Sequence, residues 1–149
     1  MARPAVGDAW SLVITGKHWR ALRTHLFPGD EDEHGAVLRC GIARSSRGTR
    51  LLVRDVVMAT DGIDYVEGDR GYRKLTAQFV ADNIDVCAGQ GLAYVAVHNH
   101  GGADRVSFSR TDMASHERSY PALLDINEGV PVGAVVFASG AIAGDIWTS

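Results

Sequence analysis

The segment VHNHGGADRVSFSRTD, residues 97 to 112, collects His98, His100, Ser109 and Asp112 within sixteen positions. Side chains alternate faces along a strand, so His98 and His100 project together while Asn99 points the other way. Ser109 suits the residue before a helix, and Asp112 then falls in the first turn. If the glycine-bearing loop between them folds back, Asp112 joins the two imidazoles as a third ligand. Two imidazole nitrogens and one carboxylate oxygen form a three-ligand set for Zn2+, one ion per chain, with a fourth position left for water as in catalytic sites. Zinc lowers the pKa of such a water to about 7, and a nearby carboxylate can take its proton as an amide carbonyl is attacked.

Taken singly, each part has a plainer origin. Ser-x-x-Asp caps many helices, and a histidine pair on a strand is commonly structural. The carboxylate is open among Asp30, Glu31, Asp32 and Glu33 in GDEDEHGAVL, which by itself reads as a solvated acidic turn. His116, one turn beyond Asp112, is a candidate partner of the ligand set, or else a helix-surface histidine. The string His98-Asn99-His100 spells HNH, but the nuclease of that name uses dispersed residues and a basic groove that this chain lacks.

The elements that must hold these residues follow from periodicity. A short β run at WSLV precedes a helix over GKHWRALRTHLF, where Trp19, Leu22, Leu26 and Phe27 recur at helical spacing before Pro28-Gly29. GAVLRCGIA and LLVRDVVMA read as two strands of a hairpin joined through RSSRGTR. Residues 61–71 read as a surface insertion. A second helix is expected from Tyr72 to about Val86, with Leu75, Phe79, Val80, Ile84 and Cys87 on one face and Gly89 and Gly91 as its stop. LAYVAVHNH is an apolar strand, SRTDMASHERSY a helix ended by Pro121, and PVGAVVF and AIAGDIW two further strands. The expected fold class is α/β in the mixed α+β sense, a central mixed β-sheet flanked by helices, in one domain over residues 1–149.

Composition narrows the function. The chain has 149 residues, 46% of them hydrophobic, and can bury a core unaided. A net charge of -3 without a basic stripe argues against nucleic acid as partner. Cys40 and Cys87 have no Cys-x-x-Cys spacing and read as buried, reduced thiols. The amino terminus has no signal-peptide core and no stretch reaches the length of a membrane span, so no membrane partner and a cytoplasmic location are expected.

These residues resemble the JAB/MPN family of metalloproteases, of the bacterial stand-alone type, whose JAMM motif sets a distant Glu before His-x-His, roughly seven to ten residues, then Ser-x-x-Asp. Eight residues separate His100 from Ser109 here. PGDEDEHGAVLRCG is similar to the family's glutamate-bearing start of a core strand, and VPVGAVVFASGAIAGDIW to the paired strands that close the domain, so the likeness spans most of residues 28–147. The family often has Pro after the second histidine, where this chain has Gly101-Gly102. The resemblance implies a cytidine-deaminase-like MPN fold, with His98, His100 and Asp112 as zinc ligands. It makes Glu33 rather than Glu31 the general acid/base, and Ser109 the group that steadies the oxyanion. It also implies a zinc isopeptidase or peptidase acting at the C-terminal glycine of a ubiquitin-like protein or its conjugates, in company with E1-like and E2-like enzymes such as those of antiviral defence systems. The extended tail of that partner would dock as an added strand, and Tyr65, Glu67 and Tyr72 would border its channel. Two other readings stay open: a JAMM peptidase of a sulfur-carrier tail, and a non-catalytic MPN scaffold or DNA-repair-associated binding domain.

Overall fold

Along GAVLRC, AYVAV and VGAVVFA nearly every side chain is buried, so both faces of the sheet are covered at its centre. A computed structural model describes residues 9–67 and 73–149, and the backbone alone of residues 3–4. The elements are β1 (Arg3–Pro4), β2 (Trp10–Val13), α1 (Gly16–Leu26), β3 (Gly35–Ser45), β4 (Gly48–Met58), α2 (Ala77–Gln90), β5 (Ala93–Asn99), α3 (Arg110–Ile126), β6 (Val132–Ala138) and β7 (Ala141–Thr148). The strands form a seven-stranded sheet in the order β1-β7-β6-β5-β3-β4-β2. β5 pairs parallel with β6 and β2 parallel with β4, and the other pairs are antiparallel, so the sheet is mixed. The expected α/β class with a central mixed sheet is what the chain adopts.

β5 shows how the two faces divide. Ala93, Val95 and Val97 join Leu22 and Leu26 of α1 in one core cluster, while Tyr94 packs with Phe79 and Ile84 of α2 and Tyr120 and Leu124 of α3 in the other. His98 continues the face of Tyr94, which puts it on the side of α2 and α3. The antiparallel register of β3 on β5 sets Gly35 opposite His98. A side chain at Gly35 would press on Leu75 and on the Val97 carbonyl at 3.2 and 3.3 Å, so only glycine fits there without displacing a neighbour.

Several boundaries differ from expectation. α3 does not end at Pro121 but runs on to Ile126. Asp112, His116, Tyr120 and Leu124 form a buried stripe at four-residue spacing, and packing of that stripe overrides the loss of one backbone hydrogen bond at proline. α2 starts at Ala77, where Thr76 caps it by accepting from the Phe79 N–H, and stops at Gly91 in the left-handed region with φ 65°, while Gly89 stays helical. Tyr72, its expected start, lies outside the described residues. Leu75 precedes the helix and bridges to Tyr65. The β3–β4 connection shrinks to Ser46 and Arg47, because both strands extend into RSSRGTR. The pairing of β1 with Trp147 and Thr148 was not legible at all. No helix of the described residues is long and apolar enough to cross a membrane.

Gly133 of β6 sits where an added Cβ would fall on the Asp145 carbonyl and within 2.7 Å of the Ile146 side chain. Gly133→Ala is therefore expected to destabilise the fold by about 1–3 kcal/mol, a drop of roughly 3–10 °C in the thermal midpoint followed by circular dichroism.

Candidate metal centre

Three elements converge at one end of β5. His98 is its penultimate residue, His100 follows it, and α3 begins ten residues later at Arg110. The intervening loop folds back because Gly102 adopts φ 101°, and because its carbonyls reach the β6–β7 turn, with the Gly140 N–H donating to the Ala103 oxygen at 2.8 Å. The His100 N–H donates to the Phe137 oxygen at 2.8 Å, so the β5–β6 pairing extends one residue past the strand.

Ser109 and Asp112 form a reciprocal capping box: the Ser109 hydroxyl accepts from the Asp112 N–H at 3.0 Å, and the Ser109 N–H donates to Asp112 Oδ2 at 2.8 Å. That same Oδ2 lies 3.4 Å from His98 Nε2 and 3.3 Å from His100 Nε2, and the two ring nitrogens are 3.1 Å apart. The cap and the ligand are thus one geometry. A tetrahedral ion with bonds of about 2.0–2.1 Å sets its ligands roughly 3.3–3.4 Å apart. The triangle of His98, His100 and Asp112 is close to one face of that tetrahedron, so the three residues fit a divalent cation.

The electrostatics agree with this use. His100 Nδ1 lies 3.0 Å from the Ser107 carbonyl, which can only accept, so Nδ1 carries the hydrogen and Nε2 presents its lone pair to the centre. Burial, aided by His98, lowers the His100 pKa and favours the neutral ring a cation requires. Burial opposes the Asp112 charge, but hydrogen bonds with His98 and Ser109 hold its carboxyl well below the usual carboxylate range.

Glu33 is brought here by the chain just before β3. Its Oε1 is 3.3 Å from His100 Nε2, and one ligand atom each from Glu33, His98 and His100 lie within 4.8 Å of one another. Burial pushes the Glu33 carboxyl above its usual range, against the attraction of His98 and with the help of Asp112. Glu31 is exposed. Of the four acidic candidates, Glu33 is the one aimed at the histidines. Asp30 faces His34 instead, and Asp32 is half-buried in the turn, where its N–H donates to Asp30 Oδ1 at 3.1 Å.

A second set of residues, missed in the sequence, fixes the Glu33 backbone. Arg73 Nε donates to the Glu33 carbonyl at 2.7 Å, Nη1 to Asp61 at 2.8 Å and Nη2 to His34 Nδ1 at 2.8 Å, while its guanidinium covers the Tyr65 ring at 3.9 Å. Arginine only donates, so His34 Nδ1 accepts and its Nε2–H donates to Asp30 at 2.8 Å. The Tyr65 hydroxyl accepts from the Gly35 N–H at 2.7 Å, and Asn99, pointing away from the histidines as alternation requires, accepts from the His34 N–H. The expected surface insertion is therefore anchored through Tyr65, which is buried; Glu67 is exposed. Tyr72 lies outside the described residues. His116 also departs from expectation: its Nδ1 bonds to Asp145 Oδ2 at 2.7 Å, rather than to a member of the ion triangle. Only the neighbourhood of Glu33 hinted at these supports, since none of them has a periodic signature.

No protein-family model matches the chain, and a search of curated proteins returned no match. Among solved structures, the fold is similar to that of protein DSY2949 from Desulfitobacterium hafniense, known in solution, at 13% identity and a TM-score of 0.49 over 86% of this chain and 75% of that one. A likeness at that level carries no argument about function.

Proposed function

We propose that the chain is a JAMM-type zinc peptidase of a cytidine-deaminase-like MPN fold, a single domain that cuts a ubiquitin-like protein, or its conjugate, at the C-terminal glycine. The observation that carries this reading is the near-equilateral triangle of His98 Nε2, His100 Nε2 and Asp112 Oδ2, with Glu33 Oε1 beside it. A zinc ion held by the three ligands supplies Lewis acidity, lowering the pKa of a coordinated water to about 7 and polarising the substrate carbonyl.

The chain's own residues supply the rest. Glu33, with its carboxyl pKa raised by burial, takes a proton from the attacking water at a carboxylate oxygen and returns it to the leaving nitrogen as the C–N bond breaks. Arg73 and Asn99 hold the Glu33–His34 backbone still through that exchange. The Ser109 hydroxyl accepts from the Asp112 N–H, which leaves its own hydrogen free to donate to the oxyanion that develops on the scissile carbonyl.

The protein purified in zinc is expected to carry about one zinc per chain by mass spectrometry, and His98→Ala with His100→Ala to carry none; a folded, active, metal-free protein sinks the reading. Glu33→Gln should keep its zinc yet cleave a ubiquitin-like fusion about 10²–10⁴-fold more slowly. Glu31→Gln should cleave at the wild-type rate, and the reverse result moves the proton-transfer role to Glu31.

A further inference from the structure

A cavity of about 160 Å³ runs from Glu33, His98 and Asp112 into the space between α2, α3 and the sheet. Its deeper wall is unusual. Tyr94 is 1% exposed, Tyr120 6% and His116 5%, and all three line the cavity. The interactions found for the described residues give neither tyrosine hydroxyl a hydrogen-bond partner, and His116 has one only at Nδ1. These three polar atoms border the cavity without a protein partner among the described residues, so each can pair with a polar group that enters it.

The chemistry of the wall says what kind of group that is. His116 Nδ1–H is committed to Asp145, which also accepts from Trp147 Nε1 at 3.0 Å, so a neutral His116 offers Nε2 as an acceptor. Tyr120 stacks on the imidazole at 4.6 Å and Phe108 stands T-shaped to it at 4.9 Å, which fixes the ring. The remaining wall is largely apolar, from Leu75, Val80, Ala96 and Leu123. The volume matches that of an engineered cavity of about 150 Å³ that takes benzene. A ring of that size bearing one hydroxyl would cover the apolar wall and donate to His116, with the tyrosine hydroxyls completing its shell. An anionic group fits poorly beside the carboxylates of Glu33 and Asp112 at the mouth.

We propose that this cavity is a recognition pocket for a phenol-type side chain, carried by the first residue of the segment that leaves when the substrate is cut. The assignment to the leaving side rests on the peptidase reading, since Glu33, the residue that returns a proton to the leaving nitrogen, forms the mouth. It makes a linear precursor ending in Gly-Tyr-x a better substrate than a lysine conjugate.

Two measurements test this on the zinc-loaded full chain. In the first, p-cresol and toluene are titrated while the methyl signals of Ala96 and Ala134 are followed by NMR. The pocket requires p-cresol to bind about tenfold more tightly than toluene, the worth of one or two hydrogen bonds. Tyr94→Phe and Tyr120→Phe should remove that preference while unfolding close to the wild-type temperature, since each deletes a hydroxyl that has no protein partner among the described residues. Val80→Phe should weaken both ligands. Equal binding of the two probes, or no shift with either because the cavity holds only water, overturns the pocket. In the second, fusions with Gly-Tyr, Gly-Ala and a glycine–lysine isopeptide at the junction are compared. At least tenfold higher kcat/KM for Gly-Tyr, reduced by Val80→Phe, supports the assignment, and indifference to the junction overturns it. Tight p-cresol binding with no fusion cut at all would refute the peptidase while leaving the phenol pocket supported.

Discussion

The carboxylate of Asp112 has to satisfy three demands with one oxygen. Buried at 6% exposure, it needs hydrogen-bond donors; the start of α3 needs its free N–H groups paired; and the two imidazoles need a negative partner. Oδ2 meets all of them by accepting from the Ser109 N–H while facing both ring nitrogens. Helix initiation and assembly of the centre are therefore one event. A helix that started one residue earlier or later would rotate the carboxylate by about 100° and scatter the set.

Strand order supplies the remaining geometry. β5 has an antiparallel neighbour on one side and a parallel one on the other. The antiparallel neighbour, β3, starts where β5 ends, which carries Glu33 to the histidines. The parallel neighbour, β6, can be reached only by a crossover, and α3 is that crossover, so its first turn must open near the end of β5. Gly35 permits the close approach at this junction, and Tyr65 seals it from the side of the insertion.

Much of this was legible in the sequence because the decisive signals are local. The His-x-His alternation, the Ser-x-x-Asp spacing and the apolar runs each depend on neighbours in the chain. What was not legible depends on distance. Pro121 looked like a terminus, yet the Tyr120 and Leu124 contacts that carry α3 past it involve α2 and the sheet. Arg73 and His34 are 39 residues apart, and nothing in either neighbourhood announces that a guanidinium would lock an imidazole. Alternation places Asn99 on the face opposite the histidines, but does not show that it would accept from the His34 N–H, 65 residues away in the chain. His116 faces Asp145 because β7 lies beside β6, a pairing that spacing alone leaves open.

Cys40 and Cys87 are free and buried, and burial pushes their thiols up to about 12 and about 11. Almost no thiolate exists on either sulfur near neutrality, and thiolate is the form that alkylating agents and peroxide attack. Alkylation by iodoacetamide and oxidation by peroxide are thus expected to be slow at both sulfurs for as long as the fold keeps them covered.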